Sequence, residues 1–141
     1  MKKTGILNPA ILKVIAEAGH RDMLAVTDRG FPLADHRHVT AIDVSIVPNL
    51  PTVLDVVVPL LDELVVEEII VARETVERQP EFLLALRKKI PEVVETVIPH
   101  AEMKQLILAS LDRGKQMIGQ IRTGEFSPYT NVILVCGVAF S

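Results

Sequence analysis

Along this chain, short apolar runs bounded by Gly, Pro and charged residues alternate with longer stretches whose apolar residues recur at helical spacing. Strands alternating with helices predict an α/β fold. Asn8-Pro9 offers an N-cap with proline at the first helical position, and Ile11, Leu12, Ile15, Ala16 and Ala18 then repeat at helical spacing up to Gly19. Met23 to Thr27 has the length and sharp borders of a buried strand and ends in the loop-forming Asp28-Arg29-Gly30-Phe31-Pro32. Ile42 to Val47 reads as a second strand. Pro48-Asn49-Leu50-Pro51 leads into an apolar helix to about Leu64, which Pro59 is expected to kink or break early.

Ile69 to Ala72 and Val93 to Ile98 read as strands on either side of an amphipathic helix that opens at Pro80 and carries Phe82, Leu83, Leu86 and Ile90. Pro99-His100 starts a helix reaching roughly to Arg113. Ile118 to Arg122 and Val132 to Val138 read as strands joined by the turn-rich stretch Thr123 to Thr130. No repeat, low-complexity segment or linker divides the 141 residues, so a single domain (1–141) is expected, with a mainly parallel or mixed sheet flanked by helices. Apolar residues make up 49% of the chain and aromatic ones only 4%, so Val, Ile, Leu and Ala must build the core, as suits a buried sheet.

The charge balance narrows the partners. With 15 basic against 18 acidic residues the net charge is -3, too weak and of the wrong sign to gather phosphate backbones or anionic lipid, so neither nucleic acid nor a membrane surface is expected. The longest apolar stretches, such as Val56 to Leu61, fall far short of the roughly 20 residues that cross a bilayer. No signal-peptide core follows Lys2-Lys3 before Lys13 and Glu17 interrupt, and a soluble, cytoplasmic protein is expected. Cys136 sits in an apolar run and reads as a small core residue rather than a nucleophile. Apolar helices with few aromatics leave more greasy surface than one small domain covers, which predicts self-association.

Histidines at 20, 36, 38 and 100 are the first candidates for proton transfer, because their ordinary pKa lies nearest neutrality. His20 follows a helix end, where it serves either as a cap or as a group facing a cleft. Asp28 lies just beyond a strand's C-terminal end, where α/β folds place ligand contacts; an Asx-turn before Gly30 explains it equally. Asp35-His36-Arg37-His38 lacks the second ligand cluster a zinc site requires and reads as a solvated loop. His100 stands at a helix start, able to meet an oxygen-rich ligand or to make a structural contact. The loop Gly124 to Asn131 holds Tyr129, the only tyrosine, with Thr130 and Asn131, and could present hydroxyl and amide groups to a polyol. Phosphate-loop, CxxC, HExxH and GxSxG motifs are absent.

Lys-Lys-Thr-Gly-Ile-Leu-Asn-Pro at the start, Gly19-His20-Arg21-Asp22, Val26 to Pro32, and Arg122-Thr123-Gly124-Glu125 with Pro128-Tyr129-Thr130-Asn131 occur in that order. Together they resemble the D-ribose pyranase and L-fucose mutarotase family almost end to end. The resemblance implies cofactor-free interconversion of pyranose and furanose ring forms, without metal or organic cofactor. It implies His20 as proton donor, Asp28 as a sugar ligand, and Tyr129, Thr130 and Asn131 lining the same pocket. His100, in Pro99-His100-Ala101-Glu102-Met103-Lys104, matches the pyranase branch and favours D-ribose over L-fucose. The resemblance further implies a ring-like homo-oligomer, commonly a decamer, with pockets near subunit boundaries. Alternatives are a mutarotase for L-fucose or another monosaccharide, and a non-catalytic sugar-binding or transport-accessory protein.

Overall fold

The central apolar runs, Met23 to Thr27 and Val132 to Cys136, become strands because both of their faces are buried. In the computed structural model, which describes residues 1–109 and 116–140, strands β1 (Met23–Thr27), β2 (Thr40–Asp43), β3 (Val66–Ala72), β4 (Val94–Ile98), β5 (Met117–Arg122) and β6 (Val132–Cys136) form one sheet. Its order is β2-β5-β1-β6-β3-β4. β1 pairs parallel with β5, β2 with β5 and β3 with β4, while β6 runs antiparallel between β1 and β3. The sheet is therefore mixed, with a single antiparallel strand near its centre.

Alternation along each strand sends successive side chains to opposite layers. Leu24 and Val26, Ile69 and Val71, and Val132 and Leu134 face α1 (Pro9–Glu17), α2 (Val53–Glu63) and α4 (Pro80–Lys89). Met23 and Ala25, Ile70 and Ala72, and Ile133 and Val135 face α5 (His100–Leu108) and the segment carrying Phe31, Ala34 and Val39. The expected α/β arrangement of a mixed sheet flanked by helices is what forms, with helices on both faces.

Local signals explain most borders. Asn8 accepts the N–H of Ile11 at 3.0 Å as the N-cap of α1, with Pro9 at its first position. Thr52 and Asp55 form a reciprocal capping box at α2. Pro59 lies inside α2 without ending it, since it forfeits only the bond to the Asp55 carbonyl. Cys136 is buried, and burial, followed by Asp22 and Glu67 nearby, pushes its thiol up to about 11, so it carries no thiolate at neutral pH.

Two expectations change, and one lies partly outside the described residues. The second strand is Thr40–Asp43 rather than Ile42 to Val47, because the backbone past Val44 turns on itself, with Ile46 N–H donating to Leu50 O and Leu50 N–H to Val47 O. A short helix, α3 (Arg73–Arg78), follows β3 directly; its polar sequence buries only Thr75 and shows no apolar period. α5 is seen to Leu108, and the remainder expected to Arg113 lies outside the described residues.

Arg122-Thr123-Gly124-Glu125 proves to be a structural knot. Arg122 Nη2 binds Asp43 Oδ2 at 2.7 Å, and the N–H and hydroxyl of Thr123 both donate to Thr27 O at 2.9 Å. Gly124 takes the N–H of Asn49 at 2.6 Å, and a Cβ there would sit 2.7 Å from the carbonyl oxygens of both Val47 and Leu50. Those neighbours are backbone and cannot swing away. Gly124→Ala is therefore expected to cost about 1–3 kcal/mol, read as a lower urea midpoint; an unchanged midpoint would show that the turn at 47–50 yields freely.

Candidate active site

Parallel strands deliver their C-terminal ends to one edge of the sheet, and the antiparallel β6 begins at that same edge. Asp28 follows β1, His100 follows β4, Glu125 follows β5, and Tyr129 to Asn131 precede β6. The result is a cavity of about 430 Å³ walled by Asp28, Phe31, His100, Lys104, Glu125 and Tyr129, among others. Arg29, Gly30, Phe126, Ser127 and Pro128 complete its rim. Such crevices at strand C-termini are where open α/β sheets bind ligands.

His100 stands between two aromatic walls. Its ring meets Tyr129 edge-on at 5.0 Å between centroids and 89° between planes, and Phe31 at 5.7 Å and 80°. Tyr129 has a φ of 60°, in the left-handed region that a side chain with Cβ adopts only when its surroundings hold it there. Arg78 lies 5.4 Å from the centre of the Tyr129 ring.

The two titratable groups that face each other here are pushed away from their usual charge states. Burial raises the Asp28 pKa; the Asn131 side chain, the Phe31 and Gly30 N–H groups and the His100 charge favour the anion but do not prevail. Burial and then the Lys104 charge lower the His100 pKa, against the pull of Glu74 and Asp28. At neutral pH the imidazole is therefore neutral, with one nitrogen to donate and one to accept. The edge of the site is tied to Asp43: burial raises its pKa, but hydrogen bonds from Ser45 and Arg122 outweigh that and bring it to about 2. Arg29 also lies 3.6 Å from Asp43.

Buried Thr130 and Asn131 form the layer behind this wall. Asn131 Oδ1 accepts the Asp28 N–H at 2.8 Å. Among the described residues, His100 Nδ1 and Thr130 Oγ1 are buried side-chain polar atoms without a hydrogen-bond partner, while the Asn131 side chain favours the Asp28 carboxylate beside it. All three residues belong to this one corner of the molecule.

His20 is elsewhere. It lies before β1, whereas Asp28 lies after it, and five residues of strand put about 16 Å between the two ends. His20 is exposed, with Nε2 3.1 Å from Glu67 Oε2, and does not cap α1, whose end is closed by the Ala18 N–H on Ile15 O. The chain thus brings Asp28, His100 and Tyr129 to the cavity wall, sets Thr130 and Asn131 behind that wall rather than in it, and leaves His20 at the opposite edge of the sheet. His36 and His38 pack on each other at 5.2 Å, and no group of three potential metal ligands occurs among the described residues.

Sequence reasoning missed Phe31 and Lys104 as pocket walls. Lys104 was within reach, since it stands one helical turn beyond His100 on the same face of α5. Phe31 gave no signal apart from its apolar nature in a polar loop.

The depressed His100 pKa has a consequence for stability. The unfolded chain takes up its proton at the ordinary histidine value, the folded chain only at lower pH, so this contribution is present above that range and is lost as pH falls through the folded value. Wild-type protein is expected to lose more stability than His100→Gln between about pH 7 and about pH 5. Equal losses in urea denaturation at the two pH values would contradict it.

Comparison with known proteins bears on this geometry. Residues 1–139 match the model of the RbsD / FucU transport protein family. The chain is 39% identical over 140 residues to a D-ribose pyranase of Kosmotoga olearia and 43% identical over 140 residues to one of Lactobacillus gasseri, covering 99% of this chain and 100% of each relative. Bacillus subtilis RbsD, solved in complex with D-ribose, superimposes with a TM-score of 0.88 at 37% identity, covering 99% of this chain and 100% of that one. The fucose mutarotase of Streptococcus pneumoniae shares the fold, with a TM-score of 0.69 at 16% identity over 94% of both chains.

Proposed function

The chain belongs to the RbsD / FucU transport protein family, and from that premise we propose that it is an intramolecular isomerase interconverting the pyranose and furanose forms of D-ribose. The observation that carries this reading is that one cavity of about 430 Å³ at the strand ends gathers the carboxylates of Asp28 and Glu125, the His100 imidazole, the Lys104 ammonium and the Tyr129 hydroxyl. A polyol supplies both donors and acceptors to such a set, whereas a purely apolar ligand satisfies none of it.

Ring exchange breaks and remakes one hemiacetal. A proton goes to the ring oxygen, the anomeric hydroxyl gives one up, the bond between C1 and the ring oxygen breaks, and a different hydroxyl then adds to C1 with the reverse proton movements. No electron leaves the sugar, so an acid and a base in position suffice, each contributing about a hundredfold to ten-thousandfold. Asp28 orients the sugar, His100 and Tyr129 hold its hydroxyls, and Thr130 and Asn131 support that wall from the buried layer behind it. His20 is the proton donor, delivered by a second copy of the chain, since its own pocket is a strand's length away. A homo-oligomer, of which a decamer is the form the family resemblance favours, supplies that copy; exposed Leu7, Ile46, Val47, Leu50 and Phe126 offer apolar surface for it. Cytoplasmic residence accords with the reading, and no helix among the described residues is long and apolar enough to cross a membrane.

Saturation-transfer NMR tests the activity. Catalytic amounts of protein are expected to speed exchange between ribose ring forms above the spontaneous rate, and to do so more for D-ribose than for L-fucose. Populations that shift only in proportion to protein, without faster exchange, would identify a sugar-binding protein instead. Light scattering that shows a monomer at micromolar concentration would remove the donated His20.

A further inference from the structure

The short helix α3 touches the backbone of both His100 and Tyr129 in the pocket wall. From its first turns, Glu74 accepts the His100 backbone N–H with both carboxylate oxygens at 3.2 Å, and the fully buried Thr75 donates its hydroxyl to Tyr129 O at 2.5 Å. Just beyond its end, Gln79 Nε2 donates to Pro128 O at 2.7 Å. Arg78 of the same helix faces the Tyr129 ring. Nothing in the core requires α3 to be there: Thr75 is its one buried residue, and its N-cap Ala72 makes no side-chain hydrogen bond.

We propose that α3 is the positioning element of the sugar pocket, with Thr75 holding Tyr129 in its left-handed conformation and Glu74 holding the start of α5 so that the His100 and Tyr129 rings keep their edge-on arrangement. The inference rests on the pocket being the ribose site. Its physical basis is that a non-glycine residue at a φ of 60° persists only when neighbours over-determine it. Tyr129 lies in a loop between two strands, and the Thr75 hydroxyl and the Gln79 amide are what tie the carbonyls of residues 128 and 129 to the sheet edge. Neither residue needs to touch the sugar.

Thr75→Val keeps the branched shape and removes the donor. It is expected to raise the ribose concentration at half-saturation about tenfold while leaving the maximal exchange rate within about twofold, and Thr75→Ser is expected to restore wild-type saturation. Wild-type saturation in Thr75→Val overturns the assignment, as does a Thr75→Ser variant as impaired as Thr75→Val. Glu74→Gln provides a measurement that needs no sugar and survives a failure of Thr75→Val to fold. The groups facing His100 are Glu74 from α3, Asp28 from the loop after β1, Lys104 from α5 itself, and Tyr129. Removing the Glu74 charge is expected to move the His100 titration followed by NMR to lower pH, while an unmoved titration shows that α3 does not govern that ring. Wild-type protein that fails to speed ribose exchange would sink the function while leaving this titration test intact.

Discussion

His20→Ala is expected to slow ribose ring exchange by about a hundredfold to ten-thousandfold, the loss typical of a single positioned acid, with the fold intact. The side chain is half exposed in the isolated chain, pairs with Glu67, and fills no core, so its removal leaves no cavity. The stronger form of the prediction uses two impaired chains. If His20 of one copy serves the pocket of another, each interface joins the His20 side of one chain to the Asp28 side of its neighbour. Unfolding and refolding an equal mixture of His20→Ala and Asp28→Asn chains should then regenerate active sites in which both residues are intact. Random assembly makes roughly one interface in four of that kind, so activity should return to about that fraction of wild type. A mixture no more active than its components would place the donor within a single chain, and full activity in His20→Ala alone would remove it from the reaction.

Asp28→Asn is expected to separate activity from stability. Its carboxylate is buried in a wall shared with the His100 ring, and its net pKa is raised, so ionising it in the folded protein costs more than in water. A group of this kind contributes stability at low pH that is lost as pH rises through its folded value. Asparagine keeps the shape and carries no charge. Exchange activity should fall about ten- to a hundredfold, the loss of a charged hydrogen bond to the substrate, while the urea midpoint at neutral pH stays level or rises. The stability difference from wild type should shrink on acidification, as the wild-type carboxyl takes up its proton. A variant equally destabilised at neutral and acidic pH would mean that Asp28 acts chiefly as a turn residue, through the N–H groups of Gly30 and Phe31.

Much of the secondary structure was legible. Met23 to Thr27 appears as a strand at the expected borders, because five apolar or β-branched residues between charged turns have one good conformation. α1 starts where Asn8-Pro9 says it should. α3 was not legible, since a six-residue polar helix is held by its contacts to the Tyr129 loop and to His100 rather than by its own pattern. The second strand was misplaced for a related reason. Ile42, Val44 and Ile46 alternate as a strand should, but Asp43 and Gly124 anchor the chain, and the segment after Val44 turns back to bond with Leu50.

Periodicity, capping and turn chemistry are local, so the sequence by itself determined the order of the six strands and the four longer helices, the layered α/β class, the inert cysteine, and the placing of Asp28 at the end of a strand. Tertiary structure decided which candidates share a pocket. The strand order β2-β5-β1-β6-β3-β4 carries Asp28, His100 and Tyr129 to one edge from distant parts of the chain, and the length of β1 holds His20 at the other. Local pattern cannot encode that division, because it depends on which strands become neighbours and on which end of each faces the cleft, and both follow from how the two apolar layers close over the sheet.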